Sequence, residues 1–283
     1  MSRATSPLKT GNADPSDRNR AQPNAATAAT PFQASTLSHG ISIAVAIYTL
    51  YALTQLNFSW PRFVSGLDRG GRLLARMLPP DLTKGDILWT GMVESMQMAV
   101  LASVLGILIS LPLGLLGARN LMPQPVTWVA RGVVAICRSL HPVIVAILFV
   151  KAVGFGALAG ILALVVGSIG FIGKLFAEAI EEISPKPVEA VRATGASFAN
   201  VILFGVLPQV LSRFVGFCTY QLDSNLRNST MVGIVGAGGI GGALFSAFQR
   251  FDYSFVFTIL MTIVIIIVVG ELLANGLKKV FNV

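Results

Sequence analysis

Few residues in this 283-residue sequence have both a type and a spacing suited to chemistry, and most of those lie in or between apolar runs. Gly236, Gly238 and Gly241 fit G-x-G-x-x-G, the turn that places a dinucleotide pyrophosphate on a helix N-terminus. That chemistry needs a βαβ unit around the glycines and an acidic residue about twenty positions on, after a second strand. Asp252 comes too early, and an apolar run follows it. Gly236, Gly238, Gly239 and Gly241 are therefore read as a structural segment, serving close helix packing or irregular backbone beside a cavity.

A second group is Asp223, Asn225, Arg227, Asn228, Ser229 and Thr230. A tetrahedral oxyanion is held by donors in number: guanidinium, hydroxyl and amide hydrogens. Arg227, Ser229 and Thr230 supply the first two kinds and are the candidate substrate-pathway residues. They are expected in an external loop, where the same residues would equally serve as ordinary caps. Glu94, Arg138, His141 and Lys151 fall within or near apolar runs, where a charge costs about 2.5–3.5 kcal/mol on insertion scales and so asks for a reason. Arg138 precedes His141-Pro142, where proline opens a helix; it is expected at a cytoplasmic helix end, snorkelling or pairing with that terminus. His141 is read as a packed polar residue, since one histidine without a second ligand makes no metal site. Cys137 and Cys218 read as small buried hydrophobes. No cluster of acid, base or nucleophile stands out as catalytic, and the phosphate-cradling G-x-x-x-x-G-K-[S/T] is absent.

The elements that must position these residues are membrane helices. Charged residues make up 12% of the chain, half the share that keeps soluble domains wet, and long apolar runs recur along it. The net charge of +8 is spread between those runs, which fits membrane topology better than nucleic acid. Six spans read off at about 38–58, 87–117, 127–153, 155–176, 201–222 and 255–277. Residues 1–38, rich in Ala, Ser, Thr, Asn and Pro, are expected to be a disordered cytoplasmic tail. Residues 39–84 hold the first span, ended by Trp60-Pro61, and an amphipathic surface helix over 62–84 closed by Pro79-Pro80. Residues 85–283 form the core domain. Lys and Arg in the loops favour both termini in the cytoplasm, with the surface helix, rich in arginine, outside.

The most polar stretch between two spans is 178–195. Ser184 suits an N-cap, Pro185 and Pro187 fall in a first helical turn, and a short helix is expected over about 184–198. Its small residues Ala190, Ala193, Gly195 and Ala196 let another backbone approach.

Here the sequence resembles the permeases of ATP-binding-cassette importers. Glu189-Ala190, Gly195 and Leu207-Pro208 match their Glu-Ala-Ala…Gly…Ile-x-Leu-Pro signature, with Val191 in place of the second Ala and Gly205 in place of Ile. Gly170–Ile183, Pro187–Ala190, Arg192–Ser197 and Asn225–Thr230 running into Gly236–Gly241 resemble the phosphonate group of that superfamily. The resemblance covers about Asp86 to the C-terminus, and methionine permeases are the nearest competitor. It implies an all-α type I importer permease fold, in which Glu189, Ala190, Gly195, Leu207 and Pro208 belong to an ATPase-coupling segment. It also implies a homodimer working with a cytoplasmic ATPase dimer that carries ATP and Mg, and with an extracytoplasmic substrate-binding protein. The expected role is movement of phosphonate, phosphate or phosphite across a bacterial plasma membrane by alternating access. This chain itself would be no enzyme and hold no cofactor. A stand-alone transporter would not need the coupling segment, and a membrane-embedded enzyme would need a convergent site within the spans.

Overall fold

The computed structural model describes residues 36–56 and 59–280, all-helical with short connections. The tail expected over 1–38 lies outside the described residues except at its end, where Thr36 already begins a helix. The chain divides into two compact units between Leu67 and Asp68.

The first unit holds α1 (Thr36–Gln55) and the start of α2 (Trp60–Met77). Nearly every described α1 side chain is exposed, Ile43, Ile47, Leu50 and Leu53 among them, as suits a helix whose solvent is lipid. Trp60-Pro61, expected to stop the first span, instead opens α2, because proline suits a first helical turn whose amides have no partner. Phe63, Val64, Leu67 and Leu74 recur at helical spacing on α2 among Arg69, Arg72 and Arg76, which makes α2 an amphipathic helix.

In the second unit the end of α2 and the loop after it are tied to α11 (Tyr253–Val280). Met77 is buried with Phe255 and Ile259, and the Thr258 hydroxyl donates to the Asp81 carbonyl at 2.9 Å. Lys84 pairs with Asp252 and, at 3.3 Å, with Asp81. Hydrogen bonds from Thr83 hold the Asp81 carboxyl below its usual range, while Asp252 raises the Lys84 ammonium above its own.

The core of this unit is α3 (Gly85–Gly117), α6 (Ala157–Glu181) and α9 (Leu207–Ile234). Along α3 the buried positions include Gly91, Ser95, Ala99, Ala102, Ser103, Gly106, Ser110, Gly114 and Gly117, almost all small. Large apolar residues of the same helix, such as Leu101, Leu105 and Leu108, point outward. That inverts a water-soluble core. Lipid rewards apolar surface outside, so helices are held by close contact of small residues. The contact is tight: a Cβ on Gly106 would stand 2.3 Å from the Ser168 Cβ.

Around this core lie α4 (Gln124–Ser139), α5 (Pro142–Val153), α7 (Pro185–Ala193), α8 (Phe198–Asn200) and α10 (Gly239–Gln249). The third expected span, 127–153, is two helices, because α4 and α5 meet at 90°. His141 caps α5, its Nδ1 accepting the Val143 amide at 3.3 Å, and it is exposed instead of packed. The fifth span is longer than expected. Helix α9 runs on to Ile234 and absorbs the residues 223–230 that were expected in a loop. Among the described residues four helical stretches are long and apolar enough to cross a membrane, or six spans if each of two bent pairs counts as one.

Candidate coupling helix and substrate path

Helix α7 begins where the sequence places it. Ser184 occupies the N-cap position, Pro185 and Pro187 fill the first turn, and Thr194 and Gly195 close the end. The Gly195 amide donates to the Arg192 carbonyl at 3.0 Å, and its φ of +76° is a left-handed value that a side chain resists. A Cβ there would meet nothing within 4 Å, so backbone conformation, not close approach, is what requires this glycine.

The inner face of α7 is Val188, buried, and Val191, half-buried, packed with Phe176, Ile180, Val206 and Val210. Its outer face shows Glu189, Ala190, Arg192 and Ala193 to the surroundings. Beneath it runs a π-helical turn, Val201–Val206, that ends at Leu207-Pro208. Proline there has no amide to bond the preceding turn, which favours the wider coil just upstream. Gly205, the departure from the signature, has a physical reason: a Cβ would lie 3.2 Å from the Val188 Cα. A larger residue would push α7 off its bed. Leu207 packs into the same cluster, and Pro208 is exposed.

The braces on α7 were not legible in the sequence. Gln209 spans the gap to its N-terminus: its Oε1 accepts the Ser184 amide at 3.1 Å, and its Nε2 donates to the Gly205 carbonyl at 2.6 Å. At the end of α6, Glu182 pairs with Arg213 at 2.6 Å. Glu181 takes the Arg131 guanidinium and the Arg119 amide, both at 2.7 Å.

The candidate pathway residues lie on α9, in an environment other than the expected loop. Arg227 Nη2 lies 2.5 Å from Asp223 Oδ2, one helical turn back. Ser229 is fully buried and donates to the Leu226 carbonyl at 2.7 Å. Thr230 is half-buried, so the structure does not bring the three donors to one open site.

Between α3, α6 and α9 sits a polar junction that sequence reasoning missed. Asn225 Nδ2 donates to Ser103 Oγ and Ser168 Oγ, both at 2.9 Å. Gln221 Nε2 donates to Ser168 Oγ and Asn225 Oδ1, also at 2.9 Å. All four residues are buried, so each polar atom needs the others. Gln221 and Asn225 are one helical turn apart, but the bonds that join α9 to α6 and α3 link residues 53 to 122 positions apart, too far for any local pattern to show.

The glycine segment joins α9 to α10 as a helical hairpin, with no strand among the described residues to form a dinucleotide-binding βαβ unit. Gly236, Gly238 and Gly239 have φ of +90°, +82° and +70°. The hairpin is seated on α3: Glu94 Oε2 accepts the Gly239 amide and Ser95 Oγ the Ile240 amide, both at 2.9 Å. Glu94 therefore has its reason at membrane depth, a carboxylate at a helix N-terminus. Gly241 is pressed against α9, where a Cβ would stand 2.0 Å from the Thr230 carbonyl oxygen.

Small-residue helix contacts, outward-facing apolar surface and four to six candidate spans define a multi-pass membrane protein. Residues 110–282 match the family model described as binding-protein-dependent transport system inner membrane component, and the chain belongs to that family. It is 40% identical over 233 residues to the phosphate-import permease protein PhnE of Mycolicibacterium smegmatis, covering 82% of this chain and 44% of that protein. This chain thus spans less than half the length of that relative. It is 37% identical over 220 residues to the phosphite transport system permease protein PtxC of Stutzerimonas stutzeri, covering 77% of this chain and 80% of that one. Among solved structures, the inward-facing MetNI methionine ABC transporter superposes with a TM-score of 0.61 at 26% identity, covering 69% of this chain and 96% of its own.

Proposed function

We propose that this chain is the membrane-spanning permease of an ATP-driven importer for a phosphorus oxyanion: phosphonate, phosphate or phosphite. The single observation that carries this reading is the outer face of α7. Glu189 and Ala190 stand exposed on a short helix braced from behind by Gln209 and the α6 end, as a docking knob for a second protein requires. The substrate class is supported by relatives named for phosphate and phosphite import.

In this reading α7 is the coupling helix, with Glu189, Ala190 and Gly195 at or beside its contact and Leu207-Pro208 setting its bed. The chain works as a homodimer on a cytoplasmic ATPase dimer that carries ATP and Mg. Both termini lie in the cytoplasm of a bacterial plasma membrane. ATP-driven closure of the ATPase pair would move the two coupling helices and open the path toward an extracytoplasmic binding protein that delivers the anion. Selectivity would rest mainly with that protein. The likeness to a methionine transporter keeps methionine as the competing substrate. Of the three pathway candidates, Arg227 keeps the exposure that an anion contact needs, whereas Ser229 does not.

The test is to assemble the chain with its ATPase and binding protein in proteoliposomes. ATP turnover and uptake are then measured with phosphate, phosphite, methylphosphonate and methionine. Stimulation by a phosphorus oxyanion alone supports the proposal; stimulation by methionine alone overturns the substrate, and failure to capture any ATPase overturns the permease role.

A further inference from the structure

Two separate cavities lie near the break between α4 and α5, and Arg138 is among the residues that line each. The smaller, about 150 Å³, is walled by Gln221, Ser224, Asn225 and Asn228 of α9 together with Cys137 and Arg138. A bound water takes up about 30 Å³, so there is room for a tetrahedral anion. The larger, about 440 Å³, lies between α3, α4 and α6 and is lined by Arg131, Arg138, Lys174 and Glu178. Its charges are matched one by one, except for Arg138. Lys174 pairs with Glu178 at 3.4 Å, and Arg131 pairs with Glu181 at 2.7 Å. Among the described residues no carboxylate lies within ion-pair distance of Arg138, and its guanidinium meets no hydrogen-bond acceptor. The terminus pairing expected for it is therefore absent among those residues.

Arg138 is exposed, so its unpaired guanidinium is open to an anion. The backbone that carries it is closely packed. The last turn of α4 lies on the α6 backbone at Gly170, where a Cβ would stand 2.8 Å from the Arg138 amide nitrogen. The chain beyond it bends 90° into α5, so Arg138 ends α4 where it lines both spaces.

We infer that Arg138 is an anion hand-over residue: a tetrahedral phosphorus oxyanion passes between the amide- and hydroxyl-lined cavity and the larger cationic one while held by its guanidinium. The inference rests on the oxyanion reading of the transporter. The chemistry is complementary on both sides. The planar fork of arginine offers paired donors to two oxygens, and Asn228 and Ser224 add neutral donors on the α9 wall. Hydrogen bonds within the polar junction leave Asn225 and Gln221 as its rigid floor. Because the anion would leave one set of donors only as it gains the next, neither space need bind it tightly.

The experiment uses the assembled complex in proteoliposomes with phosphate as the probe. Arg138→Gln is expected to lower uptake about tenfold or more, the loss of one charge-assisted contact, and Arg138→Lys to recover part of it. A readout on the unsubstituted Arg138 comes from Cys137, which lines the smaller cavity. In a Cys218→Ser background, phosphate should slow Cys137 alkylation, and Arg138→Gln should abolish that protection. Wild-type-like uptake by Arg138→Gln, or alkylation indifferent to phosphate while wild-type uptake is intact, overturns the inference. Should Arg138→Gln block assembly, the protection seen at Cys137 with Arg138 in place decides. Absence of phosphate, phosphite and methylphosphonate uptake by the wild-type complex would instead overturn the substrate reading on which the inference rests.

Discussion

Helix α7 and the α9–α10 hairpin are both short polar or glycine-rich interruptions in a membrane bundle, yet they are held in opposite ways. α7 touches the core through one face and is latched at its end by Gln209, while Glu182–Arg213 and Glu181–Arg131 lock the α6 end that leads into it. The hairpin is held mainly by backbone against backbone, Gly241 on Thr230 and Gly233 on Gly238, with the Glu94 and Ser95 side chains accepting the first amides of α10. A latched element can be lifted or pushed at modest cost. An element that packs main chain to main chain has no side chain to yield, so it stays or the bundle fails. The difference makes α7 the element more easily displaced and the hairpin the less.

The comparison breaks most readily at Gly241. Gly241→Val puts a branched side chain where the nearest carbonyl oxygen leaves 2.0 Å, and the atoms that would have to move are backbone. The expected loss exceeds about 3 kcal/mol, seen as little folded protein in detergent by size exclusion and thermal unfolding. A well-folded Gly241→Val would end the claim of rigidity. Gly205→Ile, which restores the residue usual in importer permeases, should also be harmful here. The Val188 Cα is only 3.2 Å from the added Cβ, so α7 must lift, at about 1–3 kcal/mol. The bundle should stay folded while capture of the ATPase subunit falls.

A smaller effect separates latch from core. Asn225→Leu strips partners from Ser103, Ser168 and Gln221 and should cost about 1–3 kcal/mol, the toll of buried polar groups left unmatched. Gln209→Ala removes bonds at a partly exposed site and should cost about 0.5–1.5 kcal/mol in unfolding, yet loosen α7 enough to raise its proteolysis. Equal unfolding losses for the two would erase the distinction between a latched and a packed region.

The smallest expected effect is pH dependence in the loop between α2 and α3. Lys84 is raised by Asp252, so its contribution is complete below the ordinary lysine value and is lost as pH climbs through the raised one. Asp81 is lowered by Thr83, so its contribution is present above the ordinary carboxylate value and is lost as pH falls through the lowered one. Melting curves of Asp252→Asn should lie slightly below the wild type at neutral pH and converge with it at strongly alkaline pH.

Much of this was legible in the chain. Composition and run length alone determined a bundle of apolar helices, since no soluble core absorbs such sequence. The start of α7 followed from Ser184, Pro185 and Pro187, because caps and prolines act within one turn, whereas its end at Ala193 falls short of the expected 198 because Gly195 turns the backbone to positive φ. The structural reading of the glycine stretch followed from what was missing around it. What tertiary structure decided were relations across the bundle. Residues 223–230 became helix instead of loop, because Asn225 and Ser229 are buried against α3 and α6 or within α9, which no neighbour in sequence announces. The 90° break at Pro142, the pairing of Arg131 with Glu181 and the unmatched Arg138 likewise depend on which helix faces which. Hydropathy and capping are local properties and survive in one dimension; packing of small residues and mutual satisfaction of buried polar groups depend on partners 50 or more positions away and exist only once the helices have met.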